Sequence, residues 1–561
     1  GLFKEEYGPL TGLSTKKGDP VVIELLNEKN ALLANKQYDH SYPHCWRHKS
    51  PVIFMSTPQW FISMKKSGLI DGAVNAVGNV DWEPSWGEER ILAMLEDRPD
   101  WCISRQRNWG VPIPLIIHNE TGEIHPKQNQ LFNVIAEMIE KEGIEGWDNL
   151  SLEELIDDHE SYSKVHDTLD VWFDSGVTHM CVLDRLYGAD VIADLYLEGS
   201  DQHRGWFQSS LLTGIATNGM APYRAVLTHG FVVDEEGRKQ SKSLGNTISP
   251  QKIWDTLGAD ILRLWIASTD FRSEMVASDE IFKRVSDQYR RIRNTFRFLL
   301  GNINDFDEKN DFVDLNNLLA LDKWILSELV ILQADLIELY KSYSFHHAIQ
   351  RIHNFCVNQL GGIYLDIIKD RQYTTQQDSE IRRSAQTVMS IILEQLVILV
   401  SPVLSFTAEE IWQGNDFLKT RAKSVFLASL RDLENFESDL SKENWSRLIE
   451  IKEEVNQTIE ASRSKGDIKG SLDASINLCL DSEDFKLVNK FASEIHFFFI
   501  VSECSISEGD ALKISVTKSE ADKCVRCWHR NKSVGASKDH PDLCHRCVIN
   551  IDGPGEDRKF A

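Results

Sequence analysis

At 561 residues the chain is too long for one hydrophobic core and should form about three to five domains. Its 42% hydrophobic and 26% charged residues match an ordinary globular protein, and a net charge of −25 argues against one that coats nucleic acid by bulk electrostatics. The longest apolar stretches, such as 391–399 (broken by Glu394 and Gln395) and 495–501, are too short to span a bilayer, so no membrane association is expected.

The chain opens at Gly1 without a methionine or a signal peptide, as a piece of a longer polypeptide would. Residues 20–33 have the pattern of an amphipathic helix, followed by the loop Ser41-Tyr-Pro-His-Cys-Trp-Arg-His48. From about 60 to 250, β-branched apolar runs (111–117, 193–197, 225–227 continuing into 231–233) alternate with helical patterns, which predicts an α/β domain with a mostly parallel sheet. Beyond 251 the periodicity becomes helical. Ile325, Leu329, Leu332, Leu336 and Leu339 fall on one helix face, and similar stripes run through 348–366 and 381–399, the last stopping before Pro402. Thr407-Ala-Glu-Glu410 reads as a capping box opening the next helix. Strand-like pieces return at 474–480 and 512–516.

Six cysteines (Cys45, Cys102, Cys181, Cys356, Cys479, Cys504) are scattered singly, as in a reducing cytosol. The other four form Cys524-Val-Arg-Cys527 and Cys544-His-Arg-Cys547. Two C-x-x-C knuckles at this spacing can supply four thiolates to one tetrahedral, structural Zn2+. Two disulfides, or replacement of a thiolate by His529, His540 or His545, are the competing readings. Two basic islands stand out in this acidic chain: Lys283, Arg284, Arg290, Arg291, Arg293 and Arg297, and a second between Lys523 and Arg546. Both suit docking of a phosphate backbone, although solvated faces would read the same way.

The segment Gly237-Arg-Lys-Gln-Ser-Lys-Ser-Leu-Gly-Asn246 places two flexible lysines three apart among Ser and Gly, a loop whose amines can approach phosphate oxygens. Upstream, Tyr196-Leu-Glu-Gly-Ser-Asp-Gln-His-Arg-Gly-Trp-Phe207 follows a strand-like run. There, at a strand's carboxyl end, acids, an amide, a His and an Arg suit a ribose and an ammonium group.

Lys239-Gln-Ser-Lys-Ser243 resembles the KMSKS signature of class I aminoacyl-tRNA synthetases. Asp100-Trp-Cys-Ile-Ser-Arg-Gln-Arg-Asn-Trp-Gly110 is similar to the group charging isoleucine, valine and leucine. Thr168-Leu-Asp-Val-Trp-Phe-Asp-Ser-Gly176, Glu198–Trp206 and the cysteine module point to the bacterial isoleucyl-tRNA synthetases; the valine relatives would end in a coiled-coil arm.

The resemblance covers essentially the whole chain. It implies the second half of a Rossmann-type catalytic domain, a helical anticodon-binding domain and a small zinc module. The expected divisions are 1–60, the tail of an editing insertion; 61–250, the catalytic domain; 251–317, a stem-contact region; 318–470, the anticodon-binding helices; 471–518, a small α/β junction; and 519–561, the zinc module. It implies that Glu198, Gly199, Asp201 and Gln202 bind the aminoacyl-adenylate, with Trp172 and Trp206 walling the side-chain pocket. Lys239 and Lys242 would be catalytic, holding ATP with Ser241 and Ser243, Mg2+ would accompany the ATP, and Cys524, Cys527, Cys544 and Cys547 would hold zinc.

Expected partners are tRNA(Ile), ATP and L-isoleucine, for a cytoplasmic monomer. Gln240 stands where the signature has Met, a position that mainly packs. The HIGH-type signature and the editing core are absent from this sequence, so the chain alone is expected not to form isoleucyl-adenylate. Cys45-Trp-Arg-His48 occupies the place of a knuckle in some relatives but lacks a partner knuckle. A non-catalytic tRNA-binding descendant and the valine-specific relative are the competing functional readings.

Overall fold

The computed structural model describes every residue except Trp46, Ala189, Asp190, Ser243, Glu434 and Asn435. The chain divides into two compact units, Gly1–Thr228 and His229–Ala561.

In the first unit helix α1 spans Thr15–Glu28, several residues earlier than the sequence pattern suggests. Ser14 enters in an extended conformation, Pro20 is carried inside the helix, and Asn30, two residues past its end, takes a left-handed conformation (φ 54°). Helix α2 (Leu69–Val77) leads into strand β1 (Asp81–Glu83) and helix α3 (Trp86–Glu96).

Only the end of the 111–117 run is a strand, β2 (Ile116–His118), because Pro112 and Pro114 have no N–H to give a ladder. It pairs antiparallel with β3 (Tyr162–Lys164) over a small core of Ile116, Leu131, Ile135, Trp147 and Ile156. Helix α4 (Val171–Gly176), strand β4 (Ala193–Gly199), helix α5 (Trp206–Asn218) and strand β5 (Tyr223–His229) complete the unit.

The central sheet has the order β1-β5-β4. Strand β1 runs parallel to β5, and β4 starts beside the start of β5, with Ala193 N donating to Pro222 O. Helices α2, α3 and α5 close it through Val77, Ile91, Leu95, Phe207 and Leu211, which share one core with Val226 of β5, all fully buried. The parallel expectation therefore holds for this sheet, whereas 111–117 belongs to an antiparallel ribbon.

The second unit begins with the two-residue parallel pair β6 (Val232–Val233) and β7 (Met275–Val276), which brackets helix α6 (Ala259–Ser268). Helix α7 (Asp279–Asn302) follows, then α8 (Ala320–Lys341), which buries Ile325, Leu329, Leu332 and Leu336 as their spacing requires, with Leu339 half-buried. The 348–366 stripe resolves into α9 (Phe345–Asn354), a π-helical stretch over Phe355–Tyr364 and α10 (Leu365–Thr374).

Helix α11 (Glu380–Val400) is long and apolar enough to cross a membrane by composition, but 94% of its most apolar window is buried, and it serves as the core helix of the bundle. Beside it, Asp322 on α8 accepts from Arg371, Tyr364 Oη (2.6 Å) and Ser384 Oγ (2.5 Å), so this buried carboxylate is neutralised and hydrogen-bonded.

The expected capping box at Thr407 does not form. Helix α12 (Ser405–Gln413) starts earlier, and Asp260 of α6 caps it instead, accepting from Phe406 N (3.2 Å), Thr407 N (2.7 Å) and Thr407 Oγ1 (2.6 Å). After α13 (Lys442–Lys465), strand β8 (Ala474–Leu480) lies between β9 (Glu503–Glu508), parallel to it, and β10 (Lys513–Lys518), antiparallel. The cysteine-rich segment ends in helix α14 (His545–Asp552).

Candidate active-site elements and a four-cysteine metal centre

In the first unit, two of the motifs singled out in the sequence meet at Asp170. Its buried carboxylate accepts from Trp101 Nε1 (3.2 Å), pairs with Arg105 (3.0 Å) and caps α4 at Trp172 N (3.4 Å). Strand β4 ends at Glu198-Gly199, where Glu198 is exposed and Gly199 buried, and a 3-10 turn carries Asp201 and Gln202.

Gln202 Oε1 accepts from Trp206 N (3.0 Å), and its Nε2 donates to Asp201 Oδ2 (3.3 Å). Trp206 stacks on Tyr196 (centroids 4.0 Å apart, 7° between planes) and donates its indole N–H to Ser175 O (3.0 Å). Gly205 is required for this closeness, since a Cβ there would lie 2.5 Å from Gln202 Oε1 and 3.0 Å from the Trp172 ring. The structure thus gathers Trp172, Asp201, Gln202 and Trp206 into one aromatic and polar cluster at the strand's carboxyl end. His203 is buried among Trp82, Trp86 and Phe207 and is a packing residue, its basicity lowered by desolvation.

In the second unit the lysine loop begins as a hairpin, with Gln240 N donating to Val232 O (3.0 Å) across a turn where Gly237 adopts φ 74°. Lys239 and Lys242 are exposed, and Lys239 Nζ lies 3.4 Å from the Phe231 ring centroid. Gln240 does more than pack: it is half-buried and its Oε1 accepts from Ile248 N (3.2 Å). Ser241 accepts from Leu244 N (3.2 Å) through its carbonyl, while Ser243 lies outside the described residues.

The four clustered cysteines are all buried, form no disulfide, and hold their sulfurs within 4.8 Å of one another. Cys524–Cys547 and Cys527–Cys544 are each 3.7 Å apart, matching the roughly 3.8 Å edge of a tetrahedron with 2.3 Å Zn–S bonds. The donor set therefore fits one four-coordinate zinc with no open position. His540 instead meets Asp552 (2.7 Å), and His545 opens α14. His529 packs against Phe497 with Nδ1 3.7 Å from Asp370.

The basic islands have different roles. On α7, Lys283, Arg291, Arg293 and Arg297 are exposed and have no ion pair among the described residues. In the cysteine module, Arg546 binds Asp370 of α10 (2.6 and 2.8 Å), Arg530 binds Asp473 (2.7 Å) and Arg526 donates to Thr374 O (3.2 Å). Half of that second island therefore serves internal docking, leaving Lys523, Lys532 and Lys538 facing outward. Asp234, Asn246 and Asp370 were not singled out from sequence, because each acts on a residue distant in sequence or on a loop's own backbone.

Three family models match in order: tRNA synthetases class I (I, L, M and V) over 23–278, the anticodon-binding domain of tRNA ligase over 322–478, and the zinc finger found in FPG and IleRS over 521–549. The chain belongs to the class I aminoacyl-tRNA synthetases. Within that class it is 50% identical to the isoleucine–tRNA ligase of Teredinibacter turnerae over 576 residues, covering 100% of this chain and 62% of the relative. The isoleucine–tRNA ligase of Marinomonas sp. is also 50% identical, over 578 residues, covering 100% of this chain and 61% of the relative. The chain thus spans about three-fifths of the length of these relatives.

Proposed function

We propose that this chain is part of an enzyme that activates L-isoleucine with ATP and transfers it to tRNA(Ile) in the cytoplasm, as a monomer. The observation that carries this reading is the ordered succession of synthetase, anticodon-binding and zinc-finger matches, combined with 50% identity along the whole chain.

In the first step an isoleucine carboxylate oxygen attacks the α-phosphorus of Mg2+-bound ATP and pyrophosphate leaves. Glu198 and Asp201 supply the negative charge suited to the ammonium and the hydrogen-bond acceptors suited to the ribose, with Gly199 and Gln202 shaping the turn between them. The exposed amines of Lys239 and Lys242, with Ser241 and Ser243, suit the charge that develops on the triphosphate, which is electrostatic stabilisation without a covalent enzyme intermediate. Trp172 and Trp206 offer an apolar wall for the aliphatic side chain. In the second step the 2′-hydroxyl of the tRNA's terminal adenosine attacks the activated carbonyl carbon, and AMP leaves.

The domain divisions expected from sequence assign 318–470 to the anticodon stem-loop, and the free cations of α7 suit the phosphate backbone leading to it. Zinc would be held by the four cysteines and would supply only a structural crosslink. The test is Lys242→Ala in the polypeptide translated from the complete reading frame. ATP–pyrophosphate exchange should fall roughly 10²- to 10³-fold, as for loss of a charge-stabilising donor; unchanged exchange removes Lys242 from the chemistry.

A further inference from the structure

We infer that Asn246 and Asp234 form a clamp that positions the lysine loop, a role that rests on the phosphate-binding reading of that loop. Asn246 Nδ2 donates to Asp234 Oδ2 (2.8 Å), while its Oδ1 accepts from Ser241 N (2.9 Å), midway between the two lysines. Asp234, buried at the hairpin's start, also accepts from Arg238 N (2.8 Å) and Arg238 Nε (2.9 Å). One carboxylate therefore ties the strand before Lys239 to the segment after Lys242, through a side chain that must donate and accept at once.

Only an amide of this length does both: aspartate has no donor to offer Asp234, and alanine offers neither group. The hydrogen bond from Asn246 and the pairing with Arg238 hold the Asp234 carboxyl well below the usual carboxylate range, so the acceptor stays ionised at neutral pH. Lys239 and Lys242 themselves are exposed, so loop geometry rests on the backbone, which the clamp holds at Ser241 together with the hydrogen bonds of Gln240 to Val232 O and from Ile248 N. Asn246 is thus a positioning residue, acting on phosphate through the two lysines.

The test uses tryptic cleavage after Arg238, Lys239 and Lys242 in this chain, read by mass spectrometry, because local opening sets the rate. N246A and N246D should each speed cleavage roughly tenfold or more, since each removes a hydrogen bond to a charged group. Because the two side chains act through one bond, D234A/N246A should speed cleavage no more than about threefold beyond D234A alone, a coupling that general unfolding would not give. Parent-like cleavage in N246A, or fully additive acceleration in the double variant, overturns the clamp.

In the complete polypeptide, N246A should lower kcat for ATP–pyrophosphate exchange roughly tenfold with the isoleucine KM unchanged. A loosened loop with unaltered exchange overturns the positioning role. Unaltered exchange in Lys242→Ala refutes the phosphate-binding reading instead, and leaves the cleavage result standing.

Discussion

Replacing Asp370 with asparagine keeps the side chain's size but removes the charge that seats the cysteine module on helix α10. In the parent, this carboxylate receives two bonds from Arg546 (2.6 and 2.8 Å) and one from Arg558 (2.5 Å). The Arg558 side chain is only 1% exposed, and among the described residues Glu556 also contacts both guanidiniums, at 3.2 and 3.1 Å. Leaving a buried charge without its partner costs about 3–5 kcal/mol, and Glu556 retains part of the compensation, so a loss of roughly 2–4 kcal/mol is expected.

Burial alone would raise the Asp370 carboxyl, but Arg558 and Arg546 hold it well below the usual carboxylate range. The contribution is therefore present above the unfolded-state value of about 3.9 and lost only as pH falls through the lower folded value. The parent–variant difference should stay constant from about pH 5 to 8 and shrink in more acidic solution. Urea unfolding followed by circular dichroism, with zinc release to a chelator as a second readout, measures it. A loss under about 0.5 kcal/mol, in the range of an ordinary surface substitution, would refute the docking argument.

The metal centre predicts about one zinc per chain by elemental analysis, lost when Cys524 and Cys527 are both replaced by serine; full occupancy in that variant would contradict it. Lys452 is buried, donates to Phe498 O (2.6 Å), and has its ammonium pushed down to about 8, chiefly by desolvation. Because the unfolded chain binds the proton more tightly, parent stability relative to Lys452→Met should rise between about pH 8 and 10.4, by roughly 3 kcal/mol in total. A pH-independent difference would show that the ammonium is hydrated in the folded state.

Much of this architecture was legible in the sequence because it rests on period and spacing. The α8 stripe and β8 appear where apolar spacing places them, and two C-x-x-C knuckles bring four sulfurs together. The misread elements depend on partners remote in sequence. Thr407 looked like a helix cap, but the cap is Asp260, 147 residues away. The run at 111–117 looked like one strand, but its prolines interrupt the ladder. The second basic island looked like a phosphate surface, yet two of its arginines, Arg546 and Arg530, are paired with Asp370 and Asp473 within the same unit. The site residues were named through resemblance, and their supports, Asp170 and Asn246, emerged only from geometry.

Aminoacylation by the polypeptide translated from the complete reading frame, with isoleucine, valine and both cognate tRNAs supplied, decides directly what this enzyme charges. Isoleucine should be esterified to tRNA(Ile), dependent on ATP and on Lys242. Valine esterified to tRNA(Val), or tRNA binding with no ATP–pyrophosphate exchange, would contradict it.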